Sequence, residues 1–211
     1  MIPAATLPET ARTDSTMKIL VAVTAASGAI YARQLIDLLL ASPLVEQVGV
    51  VRSSHAGEVA RWEGVALPDD PRIVRFANDD LFAPPASGSA RWDAMAICPC
   101  TVGTLGRIAS GAAQTLIERA ADVMLKERRR LVLVVRETPL SLIHLRNMVA
   151  LTEAGAVVLP ASPSFYSRPG DIEALCRTVT ERTASLLGIE TPRYEWGTAL
   201  SSEKVDDKTE D

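Results

Sequence analysis

Lys18-Ile19-Leu20-Val21-Ala22-Val23 runs straight into Thr24-Ala25-Ala26-Ser27-Gly28, and this junction decides the fold. Residues 19–23 carry no polar interruption, the pattern of a strand buried on both faces. A turn of small residues follows, and over 29–40 the apolar residues return at helical spacing. A doubly buried strand, a tight turn and an amphipathic helix make the first unit of an alternating α/β chain.

The unit recurs. Residues 48–51 read as a strand and 55–62 as a helix. Residues 94–98 form the next strand, with helices over 102–109 and 116–128. Strands at 131–135 and 156–159 are followed by helices at 141–154 and 171–187. This alternation predicts an α/β doubly wound parallel sheet in three layers, covered by helices on both sides. Ligands of such sheets sit beyond the carboxyl ends of the strands. The stretch 83–88, with Pro84, Pro85, Ser87 and Gly88, belongs to a long loop, a frequent seat of function.

The 211 residues fit one domain, divided here into an N-terminal arm (1–16), an α/β domain (17–189) and a C-terminal tail (190–211) whose end is acidic. Apolar residues make up 47% and charged residues 23%, an ordinary globular balance. A net charge of −4 argues against nucleic acid or an anionic membrane as partner, so any anion site must be a local basic cluster. Three scattered cysteines form no disulfide framework and suit a reducing cytoplasm. No run approaches the roughly 18 apolar residues of a membrane span, and Cys98-Pro99-Cys100 lacks zinc spacing.

Several strand ends carry groups suited to chemistry. Around Ser27 and Gly28, backbone N–H groups and a hydroxyl can meet an anion at a helix start, or simply make a tight turn. Ser53 can meet a phosphate or cap a helix. Ser87 suits phosphate or a turn. Arg119 and Lys126 share a helix face with Asp122 between them, either a cationic site or a surface charge ladder. Arg136-Glu137 ends a buried strand, where an arginine can hold an anion and a carboxylate can move a proton, or the two can form a structural ion pair. Tyr166 and Arg182 complete an anion site or cover the core. His144 reads as structural.

Taken in order, these segments resemble the UbiX flavin prenyltransferases. The resemblance rests on Leu116-Ile117-Glu118-Arg119-Ala120-Ala121-Asp122-Val123, Ala83-Pro84-Pro85-Ala86-Ser87-Gly88-Ser89, Ile97-Cys98-Pro99-Cys100 and Leu133-Val134-Val135-Arg136-Glu137-Thr138-Pro139. It implies a flavodoxin-like (Rossmann-like) sheet, a homododecamer, and no metal. It implies transfer of dimethylallyl from dimethylallyl monophosphate to N5 and then C6 of reduced FMN, the product serving a UbiD-type decarboxylase. By resemblance, Ser27, Gly28, Ser53, Thr101, Thr104 and Arg136 hold FMN. Ser87, Arg119, Lys126, Tyr166 and Arg182 hold the prenyl donor, Glu137 and Ser27 are catalytic, and Trp196 matches an aromatic. Where the family usually has Gly, this chain has Ala25, which would loosen phosphate binding if that position needs positive φ. The competing readings are an FMN-dependent decarboxylase of the same superfamily and a non-catalytic FMN-binding subunit.

Overall fold

The computed structural model describes residues 16–191, so most of the arm, Trp196 and most of the tail lie outside the described residues. The chain alternates as β1 (Met17–Val23), α1 (Ala29–Ala41), β2 (Val45–Arg52), α2 (Ala56–Trp62), β3 (Ile73–Phe76), β4 (Ala94–Cys100), α3 (Val102–Ala109), α4 (Leu116–Lys126), β5 (Arg130–Val135), α5 (Leu142–Glu153), β6 (Val157–Pro160) and α6 (Ile172–Leu187). Two short 3-10 turns, Pro84–Ala86 and Gly88–Ala90, sit in the proline-rich loop. The strands pair in parallel in the order β3-β2-β1-β4-β5-β6. Without the short edge strand β3, the remaining five follow flavodoxin order.

Strand β3 is absent from the sequence reading. It has four residues, pairs only with β2, and carries Arg75 outward, so it lacks the apolar run that marks the inner strands.

The period of two along β1 builds both cores. Ile19, Val21 and Val23 pack with α1 and α6 through Leu35, Leu39, Val179 and Leu187. Leu20 and Ala22 face the other side, among Trp92 just before β4, Met95 of β4, Leu105 of α3 and Met124 of α4. Burying each such aliphatic side chain stabilises by roughly 1.5–3 kcal/mol. Helix α6 opens on Asp171, whose Oδ1 accepts from Ala174 N at 2.7 Å, and stops at Gly188 in the left-handed conformation (φ 93°). Helix α5 differs: Leu151 is its one buried residue, while Leu142, Ile143, Leu145 and Val149 are exposed. His144 is satisfied at its start, where His144 Nδ1 accepts from Ser141 N and Ser141 Oγ accepts from His144 N.

Candidate functional site

The connections leaving β1 and β4 run to opposite faces of the sheet, which opens a crevice beyond their carboxyl ends. Thr24 stitches that crevice. Its hydroxyl donates to Pro99 O at 2.8 Å and accepts from Thr101 N at 2.8 Å. Thr101 then caps α3: its Oγ1 accepts from Thr104 N at 3.2 Å and donates to Thr104 Oγ1 at 3.0 Å. Thr104, which is buried, also accepts from Arg107 Nη2 at 3.1 Å.

Across the crevice, α1 begins at Gly28, with φ 105° and no side-chain cap of its own. A Cβ here would stand 2.7 Å from the Tyr31 ring, so space and backbone both require glycine. The unpaired N–H groups of the helix start are met from a distance. Glu63 Oε1 accepts from Gly28 N at 2.8 Å, and Oε2 accepts from Ala29 N at 2.7 Å. Burial pushes the Glu63 carboxyl up. The bonds from Gly28 N, the Ser27 hydroxyl and Ala29 N, with the charge of Arg136, outweigh it and hold the group below the usual carboxylate range. The seat at the start of α1 thus holds a carboxylate. Arg136 is within electrostatic reach of both Glu63 and Tyr31. Burial, then the neighbouring Cys176, raises the Tyr31 phenol to about 12. Ala25 is not among the described residues of positive φ, so the alanine costs no backbone strain there.

Beside this seat a cavity of about 730 Å³ reaches from Val23 and Ala29 past Ser53 and Asn78 to Arg52, Arg61 and Arg75. Ser53 does not cap α2, whose N-cap is His55 without a side-chain bond. Ser27, Gly28, Thr101, Thr104 and Arg136 thus gather at the crevice, with Ser53 on the adjoining wall.

Three of the donor-binding candidates, Ser87, Arg119 and Lys126, lie apart from the crevice residues, along α4 and the loop packed on it. Arg119 Nε donates to Ala86 O at 3.0 Å and its Nη1 pairs with Asp122 at 2.8 Å. Lys126 pairs with Glu127 at 2.6 Å, and Arg129 donates to Gly88 O and Trp92 O. Ser87 Oγ lies 2.9 Å from Ser89 Oγ. The proline-rich loop is so clamped on α4, which brings Ser87, Arg119 and Lys126 together. The start of α4 docks on Asn78, past the carboxyl end of β3. Its far end lies by Trp92, just before β4 begins, where Asp93 N donates to Lys18 O. Lys126 is therefore about one strand length, roughly 20 Å, from Ser27. Glu137 follows β5 exposed, its Oε1 accepting from Thr138 N at 3.0 Å. Tyr166 follows β6 and is 68% exposed. Arg182 lies in the second half of α6, whose last carbonyl, Leu187 O, accepts from Arg130 at the opposite edge of the sheet. One protomer does not bring Lys126 or Arg182 to the crevice.

Two anchors escaped the sequence reading. Glu63 is 35 residues from Gly28 and carries no local signal. Glu118 is 1% exposed, accepts from Gln114 N and Thr115 N at 3.0 Å each, and pairs with Arg107. The spacing Thr115-x-x-Glu118 is a capping-box signature that marks it.

The Flavoprotein family profile matches residues 7–184 of the chain. The flavin prenyltransferase UbiX of Pseudomonas aeruginosa is 46% identical over 189 residues, spanning 82% of this chain and 90% of that protein. The crystal structure of AnUbiX (PadA1) in complex with FMN and dimethylallyl pyrophosphate superposes with a TM-score of 0.78 at 40% identity, covering 85% of this chain and 98% of that one. A dodecameric FMN-dependent UbiX-like decarboxylase from Escherichia coli O157:H7 gives the same TM-score at 37% identity, over 85% of this chain and all of the other.

Proposed function

The chain belongs to the UbiX flavin prenyltransferase family, and on that premise we propose that it is a flavin prenyltransferase, moving a dimethylallyl group from a dimethylallyl phosphate ester to FMN. The observation that carries this reading is the anion seat of Ser27, Gly28 and Ala29 at the switch point, whose donors already hold a carboxylate. The donor set fits a flavin phosphate, with Ser53, Thr101, Thr104 and Arg136 around it. Reduced FMN supplies N5 and then C6 as the atoms that accept the prenyl group.

The chain's own residues supply charge, placement and proton transfer. Breaking the allylic C–O bond leaves negative charge on the departing phosphate, which cations stabilise most in a site that excludes water. Arg119, Lys126, Tyr166 and Arg182 are the candidates, with Ser87 beside them. The distance of Lys126 and Arg182 from Ser27 within one protomer calls for a homo-oligomer in which neighbouring copies complete each site. The exposed apolar face of α5 supports that assembly, and the E. coli relative is dodecameric. Glu137, at a strand end and open to solvent, takes up the proton released at C6. We read the donor as dimethylallyl monophosphate and the product as cofactor for a UbiD-type decarboxylase. No helix among the described residues is long and apolar enough to cross a membrane.

The test follows the leaving group. Phosphorus NMR of anaerobic mixtures should show inorganic phosphate released from dimethylallyl monophosphate only when reduced FMN and protein are both present. Release without flavin, or none with it, would contradict the reading.

A further inference from the structure

Arg107 joins the buried carboxylate of Glu118 to the crevice. It lies in the last turn of α3, three residues past Thr104 and so on the same helix face. Its Nε donates to Glu118 Oε1, and Glu118 is itself fixed by Gln114 N and Thr115 N. A guanidinium is a planar fork of donors with no acceptor. Anchored at Nε, this one sets Nη2 on Thr104 Oγ1 at 3.1 Å. The same buried oxygen accepts from Thr101 Oγ1 at 3.0 Å. A hydroxyl has two acceptor sites and one proton. Both acceptor sites of Thr104 are filled, and among the described residues nothing accepts its proton.

We propose that Arg107 is a positioning residue for prenyl transfer: it fills the second acceptor site of Thr104 and leaves that hydroxyl able only to donate, to a carbonyl oxygen of the flavin ring. The inference rests on the flavin reading above, in which Thr104 stands at the crevice. A carbonyl oxygen is the acceptor that suits the reaction, because N5 must keep its lone pair for the incoming prenyl carbon. A donor bonded to N5 would tie up that pair. The cation also polarises the hydroxyl and strengthens the bond it donates. Without Arg107, Thr104 is free to turn and donate to Thr101 Oγ1 instead, and the flavin carbonyl loses a fixed partner. Glu118 acts one step further back, by holding the fork in place.

The full chain, stripped of flavin, would be titrated with FMN as wild type, Arg107→Met, Thr104→Val and the double variant. Two quantities are read: the Kd, and the visible absorption band of bound FMN, which responds to bonds at the ring carbonyls and not to bonds at the ribityl chain or phosphate. Arg107→Met and Thr104→Val should each weaken FMN roughly fivefold, the worth of one hydrogen bond, and shift the band in the same direction. The double variant should match Thr104→Val alone, because Arg107 acts only through Thr104. Removing Arg107 strands the buried Glu118 charge, so Arg107→Met with Glu118→Gln, which leaves no unpaired charge, should fold and show the same band shift. A purely structural Arg107 would lower the thermal midpoint and keep the wild-type band and Kd. That result overturns the inference, as do additive effects in the double variant, or weaker binding with an unmoved band. If wild type and variants, all folded by circular dichroism, bind no FMN, the flavin reading falls and the role of Arg107 falls with it.

Discussion

Replacing Glu118 should unfasten the start of α4 and with it the placement of Arg119. The carboxylate is buried and accepts three bonds, from Gln114 N, Thr115 N and Arg107. Glu118→Ala removes all three acceptors. Each backbone N–H left unpaired away from water costs about 1 kcal/mol at the low end of the range for an unmade hydrogen bond. Breaking a buried ion pair on one side costs about 3–5 kcal/mol. The Arg107 side chain is 49% exposed and keeps Thr104 Oγ1, so water screens much of that loss. The combined expectation is about 3 kcal/mol for Glu118→Ala. Glu118→Gln keeps one oxygen for the amides and loses the charge, so about 1.5 kcal/mol is expected. Urea unfolding at one fixed protomer concentration, needed because assembly shifts apparent stability, should lower the midpoint with the slope unchanged. A loss under 1 kcal/mol for the alanine variant, or equal losses for both, would refute the reasoning.

Three further outcomes follow from other parts of the molecule. Tyr31 has its folded-state pKa raised to about 12, so it keeps its proton after the unfolded chain has lost it near 10. Its stabilisation is full below pH 10 and is lost as pH rises toward 12, on the order of 2 kcal/mol. Urea midpoints measured from pH 8 to pH 11 should fall more steeply for wild type than for Tyr31→Phe. Gly49→Ala would place a Cβ 2.6 Å from Trp92 and 2.8 Å from Leu20 in the core; the overpacking should cost about 1–3 kcal/mol, read from the thermal midpoint. Glu137→Gln should bind FMN as wild type does and slow prenyl transfer by roughly 10²-fold, the low end for loss of a general base. Turnover at the parental rate would remove Glu137 from the proton path.

Much of the fold was legible because the inner strands are buried on both faces. The uninterrupted runs in β1 and β5 can be nothing else at that length, and each helix after them shows its own period. The sequence lost β3 because an edge strand pairs on one side only, and Arg75 breaks its apolar run. Within the site, Ser27 and Arg136 were legible because each follows a buried strand, whereas Thr101 came only from the family resemblance. Thr24 and Glu63 were not, since their roles are contacts made across 77 and 35 positions of chain. The concern over Ala25 came from sequence alone and dissolves in the backbone, where Gly28 rather than Ala25 takes the positive φ. Nor could spacing reveal that α4 carries Lys126 away from the crevice. The seven-residue interval fixes a shared helix face, but only the antiparallel run of α4 against β5 sets which edge of the sheet it reaches.

The most direct test of the central claim is the mass of the flavin itself. Protein, reduced FMN and dimethylallyl monophosphate would be mixed without oxygen, and the flavin extracted and weighed by mass spectrometry. The account predicts a gain of one C5H8 unit, absent when the protein is omitted. Flavin of unchanged mass, recovered from protein shown separately to bind both FMN and the donor, would contradict it.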